Sequence, residues 1–316
     1  MKYNNELVGL SYSRSYKELD MWKAFLDTLN VNYMISDIDL NEAAKLGVER
    51  FRYANEYCYT RKATLGEYIY LVEKIKCPII LVASRVVEGN IKCNTTRFVP
   101  YQIAEYYHGK INVIDAPITT NSILARNQLS ILAQKFTDDL DLIEKAIKQW
   151  ELNKPKPKKI KDIDPNRINL FFIGGAPFHF SFSDPTSYMT RYLVTKHDVN
   201  LIGPKTASDQ KDVRIYMKAY KYLFTDYIDS PDQNSYWFRA SVMASYMMVK
   251  DKIDGVIFTR DKYCTAKIEE IDLLQSVIQK DNIPNIVIDY RYESKTTVET
   301  VVDTFVEMLK WKKGLE

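Results

Sequence analysis

The stretch Leu7–Ser36, LVGLSYSRSYKELDMWKAFLDTLNVNYMIS, contains the pattern that decides the fold. Two short apolar runs, LVGLSYS (7–13) and VNYMIS (31–36), are typical of buried strands. Between them, in 16–29, apolar side chains recur at intervals of three and four residues, which indicates a helix with one buried face. The stretch therefore predicts a β-α-β unit.

The same alternation continues through the first half of the chain. Further strands are predicted at CPIILVAS (77–84) and INVIDAPI (111–118). Helical patterns occupy LNEAAKLG (40–47), ATLGEYIYLVEKI (63–75) and a long segment at 122–150.

The second half repeats this plan without a residue-level repeat. Strands are predicted at INLFFIGG (168–175), VNLIGPK (199–205), DGVIFTR (254–260) and NIVIDY (285–290). Helices are predicted around SYMTRYLVTKH (187–197), at 208–226, 234–252 and 267–280, and at the C-terminal end. Strands that alternate with helices indicate parallel sheets covered on both faces.

The pattern predicts an α/β protein of two doubly wound, flavodoxin-like or Rossmann-like parallel-sheet domains that face each other across a cleft. The N-terminal domain is expected at 1–153 and the C-terminal domain at 167–316. Between them, 154–166 carries most of the run NKPKPKKIK, whose prolines and lysines are typical of a solvated, semi-rigid linker.

Composition excludes several classes of function. The chain has 316 residues, with 44 Lys and Arg against 41 Asp and Glu, and the basic residues are scattered. A nucleic-acid partner is therefore not expected. Apolar runs are shorter than the roughly 18 residues of a membrane helix, and MKYNNELVGLSYS lacks the features of a secretion signal. We expect a cytoplasmic protein without a membrane partner.

Established catalytic motifs are absent from the sequence. It has neither a GxGxxG dinucleotide fingerprint nor a GxxxxGK[ST] phosphate loop, and it has no GxSxG, HExxH or CxxC. Candidate chemistry is therefore sought among the cysteines.

Three of the four cysteines, Cys58, Cys93 and Cys264, fall in predicted loops, where the functional residues of α/β sheets gather. Cys77 opens an apolar strand and is interpreted as structural. Each loop cysteine could be a core residue, a redox thiol or a metal ligand, because their spacing matches no local ligand signature. Thiolates would favour an iron–sulfur cluster, zinc or copper(I).

Several segments together resemble a known family. LVGLSYSRSYKELDMWKAFLDTLNVNYMIS, ANEYCYTRKATLGEYIYLVE, KCNTTRFVPYQIAEYY and the segment from DGVIFTRDKYCTAKIEEIDLL to the C-terminal helix are similar, in this order, to the iron–sulfur subunits of 2-hydroxyacyl-CoA dehydratases and benzoyl-CoA reductases. The resemblance includes the related domain of activator-fused proteins and covers nearly the whole chain.

The resemblance implies a [4Fe-4S] cluster held by Cys58, Cys93 and Cys264, with one iron left for hydroxide or substrate. It implies roles near the cluster for Ser36 and Glu56 as catalytic contacts and for Arg14 as a cofactor-binding residue. It also implies an ATP-hydrolysing activator protein as partner, pairing with a paralogous subunit or a second copy, and an acyl-CoA substrate. Such a protein would act in an anaerobe as a lyase or as a component of a low-potential reductase.

Some features depart from the family. The chain is shorter than the usual dehydratase subunits, and CYTRK follows the first cysteine where proline is common in the family. Two alternatives therefore stay open. One is a two-domain small-molecule-binding or scaffold protein without a cluster, and the other is a structural zinc protein.

Overall fold

The computed structural model describes most of the chain as two compact units, Met1–Lys156 and Pro157–Glu316. The described residues are 3, 5–15, 18–87, 90–91, 98–119, 122–153, 163–174, 188–203, 242–260, 263–289 and 295–315. Each unit is an α/β fold built on a parallel sheet, which confirms the predicted fold class.

The sheet of the first unit is doubly wound. Its strands are β1 (Val8–Leu10), β2 (Tyr33–Ile35), β3 (Ile79–Val87), β4 (Asn90–Ile91) and β5 (Asn112–Thr119). The parallel strands lie in the order β2-β1-β3-β5, and β4 pairs antiparallel with the end of β3. The strand order therefore reverses between β1 and β3, and open α/β sheets bind ligands beyond the carboxyl ends of the strands at such a point.

Helices cover both faces of this sheet. They are α1 (Tyr12–Ser15), α2 (Leu19–Thr28), α3 (Leu40–Arg50), α4 (Tyr59–Glu73), α5 (Val99–Tyr106), α6 (Ser122–Ala133) and α7 (Leu140–Leu152), with a 3₁₀ turn at Arg52–Glu56. Alternate residues of β3 point to opposite cores. Ile79 and Leu81 pack with α2, α6 and α7, whereas Ile80 and Val82 pack with α4 and α5.

Two glycines let α3 and α4 approach closely. A Cβ atom at Gly66 would lie 1.7 Å from the carbonyl oxygen of Ala43, and one at Gly47 would lie 2.2 Å from that of Lys62. The helix backbones therefore touch where a side chain would separate them. This contact fixes the depth of α4 in the first unit, and α4 carries the residues of the candidate site.

The second unit also has a parallel sheet, with helices packed on each face. Its elements are β6 (Asn169–Gly174), α8 (Tyr188–His197), β7 (Asn200–Ile202), β8 (Gly255–Arg260), α9 (Thr265–Lys280), β9 (Asn285–Asp289) and α10 (Lys295–Lys313), and residues 242–249 are also helical. All strand pairs are parallel, in the order β7-β6-β8-β9. Phe171 and Phe258 belong to one core, and Phe172 and Ile257 belong to the other.

The predicted helix at 122–150 is two helices. α6 ends at Ala133, and α7 begins after Asp139, whose Oδ1 accepts hydrogen bonds of 3.0 Å from the backbone N–H groups of Asp141 and Leu142. An aspartate at the N-cap accepts hydrogen bonds from N–H groups that have no partner inside the helix. Asp139 therefore favours the start of a second helix at this point.

Some predictions concern residues that the structure does not describe. The predicted helix at 208–226, residues 234–241 of the following one and linker residues 154–162 lie outside the described residues. Within the described part of the chain, no helix is both long enough and apolar enough to cross a bilayer.

Candidate functional site

A buried glutamate joins the ends of two neighbouring strands in the first unit. Ser11 follows β1 and Ser36 follows β2, and their hydroxyls donate hydrogen bonds of 2.6 Å each to Oε2 and Oε1 of Glu67. The backbone N–H of Ser13 donates to Glu67 Oε1 over 3.1 Å, and the Ser13 hydroxyl contacts Oε2. These groups form a polar cluster at the carboxyl edge of the sheet.

Burial dominates the electrostatics of Glu67. The side chain has no exposure to solvent, and burial raises the pKa of its carboxyl group. Hydrogen bonds from Ser11, Ser13 and Ser36 act in the opposite direction, but the pKa remains raised. The neutral acid is therefore favoured more than it would be in water.

The position of Glu67 follows from the sequence of α4. Gly66 brings the helix backbone against Ala43, so the next residue lies deep in the unit. Its neighbours along α4, Leu65, Tyr68 and Ile69, are fully buried as well. Thr64, one turn earlier, completes the polar cluster because its Oγ1 lies 3.0 Å from the Ser13 hydroxyl.

Cys58 occupies the N-cap position of the same helix and is half-buried. The next turn carries two cations, Arg61 and Lys62, each only 6% exposed. The Arg61 guanidinium lies 3.5 Å from the centroid of the Tyr57 ring, and its Nη2 donates to Gln102 over 2.8 Å. A helix N-terminus and neighbouring cations favour the thiolate form of a cysteine, which is the form that ligates metals.

Cys264 is likewise a helix N-cap residue, in the second unit. It is half-buried, it is the N-cap residue of α9, and it follows the end of β8 by four residues. A residue that follows a parallel strand and precedes a helix lies at the carboxyl edge of the sheet. Cys58 and Cys264 are thus both half-buried N-cap residues, although Cys58 follows a 3₁₀ turn and Cys264 follows a strand.

Cys77 differs from both. It is 1% exposed and precedes β3, so it lies at the amino edge of the sheet. Burial raises the pKa of its thiol to about 11. Its environment agrees with the structural role predicted for it. Cys93 lies outside the described residues.

The other predicted site residues have contrasting surroundings. Ser36 is buried and its Oγ also accepts a 2.9 Å hydrogen bond from the backbone N–H of Tyr12. Glu56 is exposed at the end of the 3₁₀ turn. Both residues are among those described, and no hydrogen bond joins them. The backbone of Arg14 belongs to α1, and its side chain lies outside the described residues.

A metal site is not complete among the described residues. Within them, no three His, Cys, Asp or Glu side chains lie close enough together to hold a metal ion. Both described loop cysteines are half-buried at helix N-termini, an environment that favours the thiolate form required of a ligand to iron, zinc or copper(I).

Sequence reasoning missed Glu67 and the serines that follow β1, Ser11 and Ser13. A signal was present in α4, where apolar and small residues occur on every side of the helix rather than on one stripe. Such a helix is buried all round, so its single central glutamate must be buried as well. The serines after the first strand are the polar residues that could have been expected to meet it.

Comparison with known proteins gives little. No family model matches the chain, and no curated protein matches it significantly. A crystal structure of a proposed Asp/Glu racemase from Yersinia pestis is similar over 96% of this chain and 99% of that one, with 14% sequence identity and a TM-score of 0.23.

Proposed function

We propose that the chain is a cytoplasmic [4Fe-4S] protein that works like a subunit of an activator-dependent 2-hydroxyacyl-CoA dehydratase or acyl-CoA reductase. Cys58, Cys93 and Cys264 would be the cluster ligands. The observation that carries the proposal is a feature shared by Cys58 and Cys264: each is a half-buried thiol at the N-cap of a helix.

The contrast with Cys77 supports this choice of ligands. A ligand must be a thiolate, and a fully buried thiol with a pKa of about 11 stays protonated at neutral pH. Cys58 has the opposite surroundings, with the buried cations Arg61 and Lys62 in the next turn. These environments support a ligand role for Cys58 and not for Cys77.

Three thiolate ligands leave one iron of a cubane open, and such a cluster supplies a low-potential electron and a site for an oxygen ligand. The residues of the chain would orient the substrate around it. Exposed Glu56, two residues before Cys58, can reach a bound molecule, and it can hold or accept a proton there. Ser36 is held in place by its hydrogen bonds to Glu67 and Tyr12.

The proposed partners follow from the same chemistry. An electron of sufficiently low potential would come from an ATP-hydrolysing activator protein, and a paralogous subunit or a second copy of the chain would complete the enzyme. The substrate class would be an acyl-CoA thioester.

Anaerobic purification and reconstitution test the proposal. We expect about four iron and four sulfide per chain in the wild type, as a [4Fe-4S] cluster contains. A rhombic electron paramagnetic resonance signal should appear on reduction. Replacement of Cys58, Cys93 or Cys264 by alanine should lower the iron content and alter the signal.

Cys77→Ala is the matched control, since it removes a thiol that should not bind iron. It should retain iron and the wild-type signal. A reconstituted wild type without iron would overturn the proposal in favour of the scaffold alternative. Bound zinc in place of iron would overturn it in favour of a structural zinc protein.

A further inference from the structure

In the polar cluster around Glu67, the hydroxyl groups have fewer hydrogens than the oxygen–oxygen contacts they make. Ser13 Oγ lies 3.0 Å from Ser11 Oγ and 3.0 Å from Thr64 Oγ1, and it also contacts Glu67 Oε2. A hydroxyl group carries one hydrogen and can donate only one bond. The Ser13 hydrogen can therefore serve one of these three oxygen neighbours.

The hydroxyl hydrogens of Ser11 and Thr64 are used in other hydrogen bonds, so they do not serve the contacts with Ser13. The Ser11 hydroxyl donates to Glu67 Oε2, and the Thr64 hydroxyl donates to the backbone carbonyl of Thr60 over 2.8 Å. With an ionised Glu67, two of the three contacts of Ser13 Oγ would place oxygen lone pairs against each other. Such contacts are unfavourable in a buried site.

A proton on Glu67 changes this balance. A carboxylic acid has one O–H donor, which can donate from Oε2 to Ser13 Oγ. The Ser13 hydrogen is then available for Ser11 or Thr64, and the Ser36 hydroxyl can still donate to Oε1. The neutral acid thus satisfies two of the three contacts of Ser13 Oγ, whereas the carboxylate satisfies one.

No charged group is among the main causes of the shift in the pKa of Glu67. The pKa of Glu67 is raised first by burial and then lowered by the serine hydrogen bonds, and these are neutral groups. On the surrounding elements, Asp37 lies beside the Tyr70 hydroxyl. The other acidic and basic residues of the neighbouring helices are Arg61, Lys62 and Glu73 of α4, Glu105 of α5, and the exposed Glu42, Lys45, Glu49 and Arg50 of α3. Glu18, which directly precedes α2, is also buried. The side chain of Arg14 lies outside the described residues.

We infer that Glu67 keeps its proton at neutral pH and acts as a pH-sensitive clasp that holds the ends of β1 and β2 together. Neutral Glu67 fixes Ser11 and Ser13 after β1 and Ser36 after β2. Ionisation in alkaline solution leaves too few hydrogens for the cluster and places a charge in a buried site, so these two loops separate and Ser36 loses its position. This inference is independent of the iron–sulfur proposal.

Infrared spectroscopy of the full-length protein at neutral pH tests the inference directly. The wild type should show the C=O stretch of a protonated carboxyl group, the band should shift when the protein is labelled with [13C]glutamate, and it should be absent from Glu67→Gln. Glu73→Gln is the matched control, because Glu73 lies on the same helix but pairs with Arg50 near the surface. The control should keep the band.

A pH titration of unfolding gives a second readout. The folded-state pKa of Glu67 is raised, so its contribution to stability is complete below its unfolded-state pKa and is lost as pH rises toward the folded value. Relative to wild type, Glu67→Gln should lack this decline, because glutamine imitates the neutral acid. Ser36→Ala removes a donor to the carboxylate, so it should move the decline to higher pH.

These outcomes separate a clasp from a merely structural carboxylate. If the wild type lacks a labelled carboxylic acid band at neutral pH, Glu67 is ionised and the inference is wrong. That measurement needs only the wild type, so it stands even if Glu67→Gln fails to fold. If the stability of wild type and Glu67→Gln changes identically with pH, the inference is also wrong.

Discussion

The Ser36 hydroxyl lies 2.6 Å from Oε1 of Glu67, although 31 residues separate them in sequence. Ser36 directly follows the strand β2, and Glu67 lies in the middle of α4. Their hydrogen bond connects a loop at the carboxyl edge of the sheet to a helix whose depth is fixed by backbone contact. The stability of the edge should therefore depend on Glu67.

Replacement of Glu67 by alanine tests this dependence. The change removes the acceptor of Ser11, Ser13 and Ser36 and leaves a cavity, so we expect a loss of about 3 kcal/mol in the free energy of unfolding. Urea denaturation at neutral pH measures it. Glu73→Ala should lower the free energy of unfolding by less than about 1 kcal/mol, because the ion pair of Glu73 with Arg50 is partly exposed. Equal losses in the two variants would contradict the role assigned to Glu67.

Much of the fold follows from sequence patterns because those patterns are local. The helix α2 buries Trp22, Phe25 and Leu26 at the spacing that the sequence shows, and β3 alternates its side chains between two cores. The break between α6 and α7 depends on the cap provided by Asp139, a single residue within a segment of helical periodicity. Such a break is easily missed when periodicity alone is considered.

The candidate site was harder to predict because its members are far apart in sequence. Ser11 lies 56 residues before Glu67, and Ser13 lies 54 residues before it. Only the strand order brings them together. Ser36 was predicted to lie near an iron–sulfur cluster, and that role stays a prediction. The structure places Ser36 in the polar cluster around Glu67, whereas Glu56 is exposed.

The close contact of α3 and α4 makes Gly66 sensitive to substitution. In Gly66→Ala the new Cβ would lie 1.7 Å from the carbonyl oxygen of Ala43, and backbone cannot yield as a flexible side chain can. The helices must separate, so we expect a loss of about 3 kcal/mol or more. Chemical denaturation measures the change.

Gly109→Ala is the control for the same substitution. Gly109 has a positive φ of 72°, but nothing lies near its potential Cβ, so only backbone strain of about 1 kcal/mol is expected. If Gly66→Ala is as mild as Gly109→Ala, the two helices do not approach as closely as described.

Asp303 should make the second unit sensitive to acid. Its carboxylate contacts Lys196, His197 and Tyr192 over 2.6 to 2.7 Å, which joins α8 to α10. Burial alone raises the pKa of Asp303, but hydrogen bonds from Lys196, Tyr192 and His197 outweigh it and lower the pKa to about 2. Because the folded-state pKa is lowered, the contribution to stability is present above the unfolded-state pKa and is lost as pH falls toward 2.

Asp303→Asn should remove this acid sensitivity. The Asp303 side chain is 32% exposed, so solvent weakens its ion pair with Lys196. We therefore expect the free energy of unfolding of the variant to fall by only about 1 kcal/mol at neutral pH. The difference from wild type should shrink as pH falls below about 4, where the unfolded aspartate gains its proton. Asp198→Asn alters a far more exposed carboxylate and should change stability little. A difference between wild type and Asp303→Asn that is constant with pH would contradict the assignment.

The thiols should differ in reactivity according to their environments. Only the thiolate attacks an alkylating reagent, and burial raises the pKa of Cys77 to about 11 from an ordinary value of 9.0. The shift lowers the thiolate fraction at neutral pH on the order of a hundredfold, and the 1% exposure of the side chain restricts access further. In the metal-free protein, iodoacetamide should therefore label half-buried Cys58 and Cys264 well before Cys77. Peptide mass spectrometry over a time course measures the rates, and unfolding in urea should make Cys77 react as fast as the others. Labelling of Cys77 at a similar rate in the folded protein would show that it is not protected at the amino edge of the sheet.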